Sequence, residues 1–239
     1  MKKVALLLLV LISISCEQDV KEPTMTLSGT IDGLKVGRIL LQKVEDSTLV
    51  TLDSIQVDGD PNFSLSMMVD EPQLVYVHLD VKDGTQYDDR ISLFAEPGMV
   101  TLHADLDQFD KTAVVSGSKN DSILTIFKKN KMRLDQAYTE LVKRSMVLSR
   151  AEDAKMDDLE KLDADYNKHI RKSVLYAVNF ARLHKDYEVA PYILLSEAFD
   201  ANPILLDSTF VKMPKKIQAS RYGKQLSELI EESKEVNGL

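Results

Sequence analysis

Between Met25 and about Gly117 the apolar residues come in short runs separated by turn-forming pairs. The runs are Thr26–Ile31, Gly37–Gln42, Leu49–Val57, Phe63–Met68, Leu74–Leu79, Ile91–Glu96, Met99–Asp105 and Ala113–Ser116. The breaks hold Asp32-Gly33, Asp58-Gly59-Asp60-Pro61, Glu71-Pro72, Asp83-Gly84 and Pro97-Gly98. Asp-Gly and Pro-Gly supply the backbone angles that tight hairpins need. Runs this short, with no helical stretch between them, predict an antiparallel β-sandwich or barrel.

After Ser118 the period lengthens. Phe127, Leu134, Leu141 and Leu148 recur every seven residues, and Leu159, Leu162, Tyr166, Ile170, Val174, Ala177 and Ala181 form a second stripe. Such spacings put one apolar face on each of two helices. A long antiparallel helix pair is expected, its first member capped by Asn120 or Asp121 and its second starting at the acidic Glu152-Asp153. Toward the end of the second helix Leu175, Tyr176, Val178 and Phe180 leave almost no polar side. Another segment must cover that end, and Val189–Phe199 is the expected cover. A further helix is predicted from about Arg221 to Glu235. The fold class is therefore α+β, an N-terminal antiparallel β-sandwich or barrel followed by a C-terminal α-helical hairpin region. The division falls into residues 25–117 and 118–239.

Ahead of the strands, Lys2 and Lys3 precede an apolar run from Val4 to Ile14, closed by Ser15-Cys16 and then Glu17. A cationic start, a short apolar core and small residues before a cut make a secretory signal. The run is roughly half the ~20 residues that a spanning helix needs. Cys16, the one cysteine of the chain, stands where a bacterial lipoprotein is acylated. Residues 1–15 are expected to be a lipoprotein signal peptide, Cys16 the lipidation site, and residues 16–24 a tether. Each buried methylene of the acyl chains, palmitate included, contributes about 0.8 kcal/mol. The expected location is the cell envelope, on a bacterial membrane, the outer ahead of the inner, facing the periplasm or the surface. Glu17, Asp19 and Glu22 resemble acidic surface-export signals, and a plain flexible tether accounts for them equally well.

Charge narrows the partners. The formal net charge is -8, and loss of Lys2 and Lys3 with the signal would take it to -10. Nucleic acid is disfavoured, because affinity for it rests on neutralising phosphates with Lys and Arg. A hydrophobic content of 44% is ample for a packed core. With Cys16 acylated no thiol would remain for a disulfide or for redox chemistry.

Four stretches carry a resemblance. Leu27-Ser28-Gly29-Thr30-Ile31 leads into Gly37–Leu41; Asp53-Ser54 is followed by Phe63; Phe94-Ala95-Glu96-Pro97-Gly98 is followed by Val100-Thr101-Leu102; and Val115-Ser116-Gly117-Ser118 stands just before Asn120. In this order they resemble the domain of unknown function at the N-terminus of envelope-anchored thiol-disulfide oxidoreductase lipoproteins of the Bacteroidota. The likeness continues to Ser220-Arg221-Tyr222-Gly223-Lys224, a type of sequence that precedes the thioredoxin-like domain in that family. The family's Cys-x-x-Cys pair has no counterpart among these 239 residues. The resemblance therefore implies the N-terminal half of such a protein, here without the redox domain, and no enzymatic role or cofactor is expected.

Other candidate chemistry is thin. His103, Asp105 and Asp107 alternate with apolar residues and would share a strand face, a weak cation site; the solvated face of a half-buried strand predicts the same alternation. His78, His169 and His184 have no spacing that unites two of them on a metal. Asp58/Asp60 and Asp88-Asp89 match no calcium-loop spacing, and Asp is common in turns for backbone reasons. Ser54, Ser116 and Ser118 lack a nucleophile-elbow context, and Gly223-Lys224 lacks a phosphate-binding loop. The helical stripes would serve a coiled-coil partner or packing within the chain.

Two functions are consistent with these features. One is a non-catalytic, membrane-anchored interaction module for another envelope protein, accessory to a separate thioredoxin-fold oxidoreductase. The other is a lipoprotein that binds a glycan or small molecule, with Tyr76, Tyr87 and Tyr192 standing in for the absent Trp. A relic with no present role is a third.

Overall fold

The structure, a computed structural model, describes residues 22–81, 90–151 and 155–238. Among the described residues there are eight strands: β1 (Met25–Asp32), β2 (Val36–Glu45), β3 (Thr48–Asp58), β4 (Asn62–Met67), β5 (Gln73–Asp80), β6 (Arg90–Ala95), β7 (Gly98–Asp105) and β8 (Val114–Ser116). Each coincides with one of the predicted runs. They form two four-stranded sheets, ordered β4-β1-β7-β8 and β3-β2-β5-β6. Alternate residues such as Leu27, Ile39, Leu41, Val75, Val77 and Leu102 point inward and close one apolar core between the sheets.

One pairing departs from the antiparallel expectation. β1 and β7 run parallel, from Met25 opposite Gly98 to Asp32 opposite Asp105. Parallel neighbours need a long crossover, and strands β2 to β6 supply it. Gly29 is required in this pairing, since a Cβ there would lie 1.9 Å from the Leu102 carbonyl oxygen. Asp53 joins the sheets at a corner. The register of β2 against β3 shifts beside it, and its Oδ2 accepts the Ser66 N–H at 2.8 Å.

The tether ends sooner than expected. Thr24 belongs to the sandwich: its hydroxyl donates to the Val69 carbonyl at 3.1 Å and accepts the Val69 N–H at 2.7 Å, and its carbonyl accepts the Gly98 N–H at 2.8 Å. Cys16, Glu17 and Asp19, like Tyr87, Asp88-Asp89 and Glu152-Asp153, lie outside the described residues.

The helices are α1 (Phe109–Thr112), α2 (Lys119–Leu148), α3 (Met156–Leu183), α4 (Val189–Glu197), α5 (Pro203–Phe210), α6 (Lys215–Gln218) and α7 (Arg221–Val236). The antiparallel pair α2–α3 and the cover α4 stand where expected, while α5 and α6 fill a stretch with no clear apolar period. Their core gathers Phe127 from α2, Ala177, Val178 and Ala181 from α3, Ile193 and Leu194 from α4, and Leu226 and Ile230 from α7. One sandwich residue, Phe94, is buried in this helical core.

Candidate interaction surface

The root of α2 is clamped to the sandwich by side chains from the Phe94–Gly98 and Val115–Ser118 stretches. A helix start leaves four N–H groups without intrahelical partners. Glu96, in the turn after β6, takes two of them: its Oε2 accepts from Lys119 at 2.7 Å and its Oε1 from Asn120 at 2.9 Å. A carboxylate at this position also opposes the positive end of the helix dipole. Ser118 is the cap residue and takes a third, accepting the Asp121 N–H at 3.0 Å.

Asn120 and Asp121, expected as caps, instead reach to other elements. Asn120 Oδ1 accepts the Val189 N–H at 2.8 Å, and its amide donates to Glu96 and to Glu188 Oε2, the latter at 3.3 Å. Buried Glu188 is also paired with Lys216 at 3.4 Å. Asp121 Oδ1 accepts the Phe94 N–H at 3.0 Å. That N–H lies on β6, the last strand of its sheet, so the helix protects an edge that would otherwise present open backbone. Burial raises the Asp121 carboxyl above its ordinary pKa against the opposing pull of the Phe94 N–H.

A second clamp closes from α7. The Tyr222 hydroxyl accepts the Leu74 N–H at 2.9 Å, Glu71 accepts the Arg221 N–H at 2.9 Å, and the Arg221 guanidinium donates to Gln73 at 3.1 Å. Phe94 packs edge-on against Tyr192 and Tyr222, at 5.4 and 5.8 Å between ring centres. Tyr192, considered above for sugar stacking, has its ring engaged here, and burial pushes its hydroxyl up to about 12. Gly223 lets α7 pass α6, since a Cβ would lie 2.1 Å from the Ile217 carbonyl oxygen. The contacts of Tyr222, Arg221 and Phe94 fix the helical layer on the sheet.

What the clamps hold is a projection. Among the described residues none from Lys128 to Tyr176 is buried. At its base Lys128 donates to Ser92 of β6 and Lys131 pairs with Glu197 of α4; beyond them the described side-chain contacts run within and between α2 and α3. Arg144 pairs with Asp165 at 2.7 Å, and this hydrogen bond holds the Asp165 carboxyl below the usual range. The rings of Tyr138 and Tyr166 lie 5.9 Å apart. On one flank a groove of about 500 Å3 is lined by Tyr138, Val142, Met146, Leu159, Leu162 and Tyr166. The opposite flank carries Arg133, Arg144, Lys168 and Lys172. Met146, Val147 and Met156 near the tip are 55%, 68% and 68% exposed. Exposed apolar surface gathered on one element is a candidate for contact with another molecule, and methionine adapts to irregular surfaces.

The remaining candidates are dispersed. His103 and Asp105 are exposed on β7, but the strand ends at Asp105 and Asp107 falls in the following 3-10 turn (Leu106–Gln108), so the three share no strand face. The described residues contain no group of three potential metal ligands. Asp60 accepts from both the backbone and the side-chain amide of Asn62, which lowers its pKa and accounts for its place in the turn. His184 closes α3 as its C-cap. A cleft of about 400 Å3 opens between β6 and α2, lined by Arg90, Ser92, Asp121, Thr125 and Lys128 among others.

No curated protein and no solved structure matches the chain. Residues 25–124, spanning β1 to β8 and the clamped start of α2, match the family model described as a domain of unknown function (DUF4369).

Proposed function

We propose that this is a lipid-anchored protein of the bacterial cell envelope that binds another protein through the α2–α3 hairpin and has no catalysis of its own. The anchor rests on the Lys2-Lys3, apolar, Ser15-Cys16 order. The binding role rests on one observation: a helical pair projects from the body with no buried described residue between Lys128 and Tyr176. A two-helix unit buries one seam and leaves its flanks open, and isolated helices in water are marginal without tertiary cover. The resemblance points to a separate thioredoxin-fold oxidoreductase of the envelope as the partner class.

The test compares in-cell crosslinking of the full lipidated chain with that of a version in which residues 132–172 are replaced by a short loop. The body should remain folded, and specific capture should disappear with the hairpin. Capture that persists unchanged would refute the reading. The anchor is checked by Cys16→Ala, which should release the protein from the membrane fraction or leave its signal uncleaved.

A second reading follows from the cleft between β6 and α2, whose size suits a small ligand. A ligand held there would raise the melting temperature, and Lys128→Ala should abolish that rise.

A further inference from the structure

The hairpin carries a feature that selects its occupant. Along α3, Met156–Tyr166 contains Asp157, Asp158, Glu160, Asp163 and Asp165 against the single Lys161. From Asn167 to Leu183 the same helix contains Lys168, Arg171, Lys172 and Arg182 and no carboxylate. The helix dipole favours acids only within the first turn and bases only within the last. It accounts for Asp157, Asp158 and Arg182. Arg144 accounts for Asp165. Glu160, Lys161, Asp163, Lys168, Arg171 and Lys172 remain, all exposed and none with an ion-pair partner among the described residues.

Leu159 and Tyr166, which line the groove, belong to a longer apolar stripe on the same helix. Met156, Leu159, Tyr166 and Ile170 are spaced three, seven and four apart, which places them in one stripe, and each is at least 37% exposed. Asp163 is the one polar residue on the line. Lys168 and Lys172 belong to the opposite flank, so the charges that accompany the stripe are Glu160 and Asp163 toward its start and Arg171 toward its end. Acid at one end and base at the other make it complementary to itself when reversed end for end. That is the condition for an isologous two-fold contact. A parallel approach would set acid on acid and base on base.

We propose that the hairpin's first occupant is a second copy of this chain, with α3 antiparallel to α3 of the other copy about a two-fold axis close to Tyr166. Leu159 of each copy then lies over Ile170 of the other, and Glu160 lies near Arg171. Tyr138, Val142 and Met146 of both copies complete a four-helix core. This rests on the reading of the hairpin as a binding surface and leaves the flank of Arg133, Lys168 and Lys172 open to a further partner.

The experiment uses the full lipidated chain in cells, with a short bismaleimide crosslinker and single cysteines introduced one at a time. Asn167→Cys, beside the axis, should give a covalent homodimer. Val147→Cys, at the tip, should not, because the two tips point in opposite directions. The unsubstituted chain controls for Cys16. In the Asn167→Cys background, Glu160→Arg alone and Arg171→Glu alone should each lose the homodimer band. Co-expression of these two chains should restore it, since each then meets its opposite.

A band that survives both single reversals, or a Val147→Cys dimer of equal yield, would overturn the antiparallel pair. Asn167→Cys crosslinked only to a different protein would overturn self-pairing while leaving the binding role of the hairpin standing. A hairpin that crosslinks to nothing at any position would overturn both.

Discussion

Asp121 Oδ1 accepts the backbone N–H of Phe94 at 3.0 Å, joining the first turn of α2 to the open edge of β6. The same strand sends the Phe94 ring into the helical core. One strand residue therefore takes part in both a polar and an apolar contact of the junction. The Asp121 carboxyl is raised above its ordinary pKa of 3.8, chiefly by burial. The folded protein thus holds this proton more tightly than the unfolded chain does. Between the unfolded and folded values the native state binds more protons, so this group's contribution to stability falls as pH rises through that window. Asp121→Asn keeps an acceptor oxygen and removes the buried charge. Its stability relative to the parent should increase as pH rises from about 4 towards neutrality. Urea unfolding across that range measures it, and a difference that does not vary with pH would count against the assignment.

Glu96 caps two backbone N–H groups of α2 and also accepts from the Asn120 side chain. Glu96→Ala should destabilise the fold by about 1–2 kcal/mol, the usual cost of a lost helix cap. Glu96→Gln keeps one acceptor and should cost less. The order of the two urea midpoints is the measurement. Equal midpoints for parent and Glu96→Ala would mean that water replaces the cap.

Tyr222→Phe isolates the second clamp. It leaves the Leu74 N–H without its 2.9 Å acceptor while the Arg221 contacts to Glu71 and Gln73 remain. A loss of about 1 kcal/mol is expected, together with faster hydrogen exchange at the Leu74 amide. Protection unchanged at Leu74 would show that the hydroxyl does not hold this end of the strand.

The strands were readable because their limits are local. Asp32-Gly33 and Pro97-Gly98 end runs by backbone preference alone, and Gly33 and Gly98 do adopt positive φ, at 87° and 117°. The parallel pairing of β1 with β7 was not readable, since it depends on where the chain returns after crossing to the other sheet. The tasks of Asn120 and Asp121 were hidden for the same reason: residue type suits a cap, but Glu96, Phe94 and Val189 are brought beside them only by folding. Helices α5 and α6, with 8 and 4 residues, are too short for a period to emerge. At the candidate site the stripes through Leu141 and Tyr166 were visible. Periodicity shows that a face is apolar; it does not show whether the chain covers that face itself.

That last distinction yields a direct contrast between two parts of one helix. Phe127 is 1% exposed, stacks on Tyr176 at 5.0 Å and meets Phe180 at 5.1 Å. Met146, on the same helix, faces the open groove. Phe127→Ala should cost about 3–5 kcal/mol through lost burial and the cavity left behind. Met146→Lys should change stability by no more than about 0.5 kcal/mol, as for a surface position, yet it puts a charge into the apolar groove and should abolish partner capture. Thermal unfolding and crosslinking of the same two variants give both readouts. A large loss of stability from Met146→Lys would mean that the groove belongs to the folding core, and the hairpin would then have to be read as packing and not as a surface for another chain.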